Sequence, residues 1–137
     1  MHFEYQVYEA DFVNAGSASS AVKKTLKQLN INPKVIKRVV VALYEAEVNA
    51  IAHAYGGIVT ADIESDHIRM VVADKGPGIP DIDWAMQEGH STASPEVRDM
   101  GFGAGMGLPN IKNNVDWLNV SSTVGVGTTV EMIVNFI

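Results

Sequence analysis

The chain has 137 residues, 47% of them apolar and 19% charged, with a formal net charge of −6 and no cysteine. This is the make-up of one globular domain, without disulfides or thiolate metal sites and without the basic stripe of a nucleic-acid binder. No apolar run approaches the roughly 20 residues needed to cross a bilayer, and the start Met1-His2-Phe3-Glu4 lacks the basic and apolar regions of a signal peptide, so the expected location is the cytoplasm.

Residues 3–8 alternate, with Phe3, Tyr5 and Val7 against Glu4, Gln6 and Tyr8, and predict a strand. A loop rich in Asn, Gly and Ser at 14–20 precedes a short helix at 21–29, with Val22, Leu26 and Leu29 on one side. Asn32 is placed to cap the next helix, with Pro33 at its first position. That helix runs over 33–53 until Gly56-Gly57 stops it. Runs at 58–63 and 67–73, parted by Ser65-Asp66, read as a hairpin. A stretch at 74–105 is full of Gly, Pro, Ser and Asp, with a helical turn or two at 82–87; a loop of that length is usually functional or mobile. A helix at 106–117, a strand at 118–122, a turn at 125–127 and a last strand at 128–136 complete the chain. The order predicts an α+β fold: a two-layer α/β sandwich whose mixed, mostly antiparallel sheet carries helices on one face.

Three stretches carry candidate chemistry. Glu45, Asn49 and His53 are spaced four apart, which on a helix aligns them in one stripe. Ile36, Val40, Leu43, Ala50 and Ile51 lie round the other side. The oxygens of Glu and Asn suit magnesium, and a carboxylate can act as a general base; an ordinary solvated stripe has the same spacing. Glu47, two positions from Glu45, turns toward the apolar side, and nothing in the sequence accounts for it. Asp74 ends an apolar run and is followed by Gly76-Pro77-Gly78, so a carboxylate sits at a strand's mouth beside a tight turn. An acceptor-only carboxylate there selects an amino group over a keto group; a plain turn would also use these residues. Glycine recurs at 101, 103, 105 and 107 just before a helix. Backbone N–H groups and a helix N-terminus can together hold an anion, and a hinge is the plainer alternative. It is not a Walker loop, because no Gly-Lys-Ser/Thr follows.

Taken in order, Glu45-x-x-x-Asn49, Asp74-x-Gly76-x-Gly78, Gly103-x-Gly105-x-Gly107-Leu108 and Gly127-Thr128 resemble the N, G1 and G2 boxes and the Gly-Thr element of the GHKL ATP-binding superfamily, whose domain is the Bergerat fold. The resemblance spans roughly 35–132. Within that superfamily the chain looks most like the small bacterial anti-sigma regulatory factors and switch-protein serine kinases. The resemblance implies ATP and Mg2+ as cofactors, Asn49 as magnesium ligand and Glu45 as general base. It implies that Asp74 reads adenine with Gly78, and that Thr128 helps hold the base. Gly103, Gly105 and Gly107 line the phosphates, with Gly76, Ile79, Met106 and Leu108 beside the nucleotide. Residues 89–100 match the ATP lid, where Arg98 is a candidate phosphate contact, and His53 sits where relatives often carry a basic residue. The implied activity is that of a serine protein kinase acting on a STAS-type anti-sigma-antagonist partner. The alternative is a non-enzymatic, ATP-gated binding module such as an anti-sigma factor. The segment 101–110, fuller in glycine and ending Gly-Leu-Pro-Asn, looks closer to the stand-alone kinases, which puts sigma-factor binding in doubt. Some relatives pair as homodimers through the first strand or the N-terminal helix, and the resemblance leaves that open here.

Overall fold

The computed structural model describes residues 1–79, 82, 86 and 107–137, the side chain of His53 excepted. Strand β1 (His2–Tyr8) leads through a 3-10 turn (Phe12–Asn14) into helix α1 (Ser17–Gln28) and the long helix α2 (Pro33–His53). Strands β2 (Gly56–Ile63) and β3 (His67–Asp74) form a hairpin, and α3 (Gly107–Asn114), β4 (Trp117–Thr123) and β5 (Gly127–Asn135) follow. Among the described residues the sheet has five strands in the order β1-β2-β3-β5-β4. Every pairing is antiparallel, so the parallel pair that a mixed sheet allows does not occur among them.

Alternation along each strand sends one set of side chains to the helices. Tyr5, Val59, Val72, Val130 and Val120 line up across the five strands, and Phe3, Ala61, Met70, Met132 and Leu118 form the next row. Against these rows pack Val22 and Leu26 of α1, Val39, Leu43 and Ala50 of α2, and Ile111 of α3, all with no exposed surface. The sheet's other face carries Arg69 paired with Glu131 at 2.7 Å and the half-exposed Trp117. Among the described residues no helix is long and apolar enough to cross a membrane.

Helix α2 begins where local chemistry places it: the Asn32 side chain accepts from the Lys34 N–H at 2.9 Å, and Pro33 occupies the first turn. Helix α1 begins four residues earlier than the sequence suggests, at Ser17. The reason is Glu47. Its side chain is buried, and its carboxylate accepts the N–H groups of Gly16 at 3.1 Å and of Ala18 and Ser19, each at 3.2 Å. Glu47 is thus the cap of α1, supplied from a partner 28 residues on from Ser19. Helix α3 stops at Asn114 instead of running to 117. The Asn114 amide donates to the Asn110 carbonyl at 2.7 Å, and the Asp116 N–H is drawn to the Ile133 carbonyl at 2.9 Å, which starts β4. Of the helical turn expected at 82–87, the described part is a 2.9 Å bond from the Met86 N–H to the Ile82 carbonyl.

Candidate nucleotide site

The apolar rows of the sheet end in a polar one. One step beyond the Val59–Val72–Val130–Val120 row, the register brings Gly57 opposite Asp74 and Thr128 opposite Ser122. Asp74 also lies beside Thr128, whose backbone N–H donates to its Oδ1 at 2.9 Å. Among the described residues Oδ2 has no partner. Burial raises the Asp74 pKa above the ordinary carboxylate value, and the Thr128 N–H opposes part of that rise. A Cβ on Gly57 would collide with the Ala73 carbonyl oxygen, so glycine in this row lets β2 lie close against the end of β3.

The loop after Asp74 is held close on two sides. The Gly76 N–H donates to the Val126 carbonyl at 3.2 Å, and the Ile79 N–H donates to the Ser122 hydroxyl at 2.7 Å. Gly78 has φ +76°, and a Cβ there would stand 2.6 Å from the Thr123 carbonyl oxygen, so only glycine fits this approach. The Ser122 hydroxyl also lies 2.9 Å from that of Thr128 and 3.2 Å from the Gly127 carbonyl.

The second half of the site lies between α2 and α3. Asn49 is half-buried and has no partner among the described residues. A Cβ on Gly107 would lie 2.9 Å from both its Nδ2 and its Oδ1, so the missing side chain lets the start of α3 press against this carboxamide. One turn earlier on α2, Glu45 Oε1 accepts from the Asn110 amide at 3.3 Å. Positions 107 and 110 of α3 therefore face 49 and 45 of α2. The two halves of the site are joined by the end of α2: a Cβ on Gly76 would stand 2.8 Å from that of Ala54, about 7 Å further along the helix axis than Asn49. Asn49 offers an uncommitted hard oxygen of the kind magnesium takes while keeping most of its waters. No group of three or more acidic or histidine side chains gathers among the described residues.

The structure thus brings Asp74, Gly76, Gly78, Ile79 and Thr128 to one end of the site and Glu45, Asn49 and Gly107 to the other, while Leu108 is buried in the core beneath them. Arg98, Gly103, Gly105, Met106 and the segment 89–100 lie outside the described residues, as does the side chain of His53. Two residues beside these were given no role by the sequence reading. Asn110 could have been found three positions after Gly107, on the same helix face. Ser122 could have been found by following the inward parity of Leu118 and Val120 to the end of its strand.

Comparison with known proteins places the chain in a family. Over 124 residues the chain is 37% identical to an anti-sigma F factor of a Thermoanaerobacter species, which covers 87% of this chain and 83% of that protein. It is 33% identical over 127 residues to an anti-sigma F factor of Pasteuria penetrans, covering 88% and 81%. It is 30% identical over 115 residues to the serine/threonine-protein kinase RsbT of Bacillus subtilis, covering 81% and 80%. In fold it is similar to a crystal structure of the RsbU and RsbW domains of a Mycobacterium tuberculosis protein, with a TM-score of 0.66 at 18% identity; the match covers 98% of this chain and 32% of that one. The model of the histidine kinase-like ATPase domain matches residues 8–134, and with nearly the whole chain so matched, this protein belongs to that ATPase family.

Proposed function

We propose that this protein is a Mg-ATP-dependent serine kinase of the cytoplasm that phosphorylates a small STAS-type regulatory partner in a partner-switching pathway. The observation that supports it most is the facing of Glu45 and Asn49 on α2 toward Gly107 and Asn110 at the start of α3. In this reading the Asp74 carboxylate accepts the exocyclic amine of adenine through Oδ2, with Thr128 beside it. Asn49 would hold the metal, and magnesium would supply charge neutralisation on the triphosphate, which a chain of net charge −6 otherwise repels. The N–H groups at the start of α3 add positive potential at the same place. Glu45, one turn from Asn49, orients the partner's serine hydroxyl and takes its proton, a task that needs a carboxylate within hydrogen-bond reach of the substrate oxygen. Gly103, Gly105, Met106 and Arg98 complete the nucleotide's surroundings in this proposal. The remaining catalysis is positioning.

The test is incubation with Mg-ATP and a candidate STAS domain, followed by mass spectrometry for phosphoserine, with Glu45→Ala alongside. Phosphoserine formed by the wild type and lost in the variant is expected. Clear ATP binding with no phosphoserine on any candidate would refute the kinase reading.

A second reading is favoured by the names of the relatives, several of which are anti-sigma F factors. Here the nucleotide orders a surface that holds a sigma factor, and no phosphate need be transferred. Partner binding that persists unchanged in Glu45→Ala would favour it.

A further inference from the structure

We propose that Ser122 is a positioning residue that sets which way the Thr128 hydroxyl points its proton, and that it thereby makes the base-facing wall of the site acceptor-only. The proposal rests on the nucleotide-binding reading above and names what selects the base within it.

Among the described residues the Ser122 hydroxyl makes three contacts: the Ile79 N–H at 2.7 Å, the Thr128 hydroxyl at 2.9 Å and the Gly127 carbonyl at 3.2 Å. It has one proton and two lone pairs. The Ile79 N–H can only donate, and the Gly127 carbonyl can only accept. A single assignment makes all three contacts hydrogen bonds. Ser122 gives its proton to Gly127 and receives one from Ile79 and one from Thr128. Thr128 has then spent its only hydroxyl proton on Ser122 and keeps only lone pairs.

Thr128 lies in the same row as Asp74 and gives its backbone N–H to Asp74 Oδ1. Oδ2 of a carboxylate is likewise an acceptor. Neither Asp74 nor the Thr128 side chain can then donate a hydrogen bond to a ligand. A base edge presenting an amino group is matched, directly or through one water. A base with a keto oxygen there finds two sets of lone pairs aimed at its own, the arrangement that rejects a ligand most strongly. Free rotation of the Thr128 hydroxyl would relax this selection, because a rotated O–H could donate to the keto group. Ser122 prevents the rotation from the neighbouring strand without itself being required to touch the base.

The test compares Mg-ATP with Mg-ITP, since inosine replaces the 6-amino group of adenine by a keto oxygen. Affinities are measured by calorimetry for the wild type, Ser122→Ala and Ser122→Thr, with thermal midpoints alongside. Ser122→Ala is expected to lower ATP affinity while sparing ITP, so that the ATP-to-ITP ratio falls by about tenfold, and Ser122→Thr is expected to return the ratio to the wild-type value. An unchanged ratio in Ser122→Ala, with both nucleotides weakened alike, would show that Ser122 only braces the loop and would overturn the proposal. Wild-type protein that binds neither nucleotide would instead refute the nucleotide-binding reading itself, which separates the two failures.

Discussion

Replacing Glu47 by Gln changes one atom and weakens the cap of α1. The native carboxylate takes two N–H groups on Oε2, from Gly16 and Ala18, and one on Oε1, from Ser19. A carboxamide has one acceptor oxygen. If that oxygen keeps the pair from Gly16 and Ala18, its NH2 group faces the Ser19 N–H, donor against donor. One buried hydrogen bond to a charged acceptor is then lost, about 1.5–3 kcal/mol. The two survivors fall from charge-assisted to neutral strength, roughly half, and the negative charge at the helix N-terminus is gone, ~0.3–1 kcal/mol. The smaller desolvation cost of a neutral amide offsets part of this. The expected net loss is about 2–4 kcal/mol, a large share of the 5–15 kcal/mol typical of a domain. Urea unfolding followed by circular dichroism reads it as a lower midpoint at unchanged slope. Amide exchange at Ala18 and Ser19 should speed up with it. Glu45→Gln is the control: on the same helix, half-buried, with only a 3.3 Å contact to Asn110, it should cost under ~1 kcal/mol. A Glu47→Gln midpoint within error of the wild type would refute the reasoning.

Asn49→Ala should weaken ATP binding at least ~10-fold in magnesium and little in EDTA; calorimetry with and without the metal decides, and equal loss in both would mean the metal is held elsewhere. Because folding raises the Asp74 pKa, the unliganded domain should lose stability as pH rises from the ordinary carboxylate range through the raised value. ATP affinity should rise over the same window, since the amine needs the ionised acceptor; it should fall on acidification sooner than an exposed aspartate would give, and Asp74→Asn should abolish the step. Gly78→Ala combines φ +76° with a 2.6 Å approach to the Thr123 carbonyl and should cost about 2 kcal/mol or more by thermal unfolding, with ATP affinity reduced. Asp116, whose pKa is lowered chiefly by the Asn135 N–H and further by Arg38, should contribute stability that is present above the ordinary carboxylate pKa and lost as pH falls through its folded value; Asp116→Asn should flatten that limb of an acid-unfolding curve.

What was legible in the sequence was what neighbours along the chain decide. Asn32 and Pro33 announce the start of α2, Gly56-Gly57 announces its end, alternation announces β1, and runs parted by Ser65-Asp66 announce the hairpin of β2 and β3. The stripe of Glu45 and Asn49 followed from helical spacing alone. The start of α1 was not legible, because its cap comes from another helix. For the same reason Glu47 made no sense by itself: its partners are backbone groups, which carry no side-chain signature. Ser122 was hidden because its meaning depends on a register that only the paired strands define.

The Glu47 bond also bears on how this domain can be recombined. Helices α1 and α2 are not independent modules, since one carboxylate of α2 completes the first turn of α1. A graft that brings in a foreign N-terminal helix but leaves position 47 as it is must reproduce a sharp glycine entry followed by open amides. A graft that changes α2 must carry an acid at that position. Residue 47 and the stretch from Gly16 to Ser19 would have to travel together.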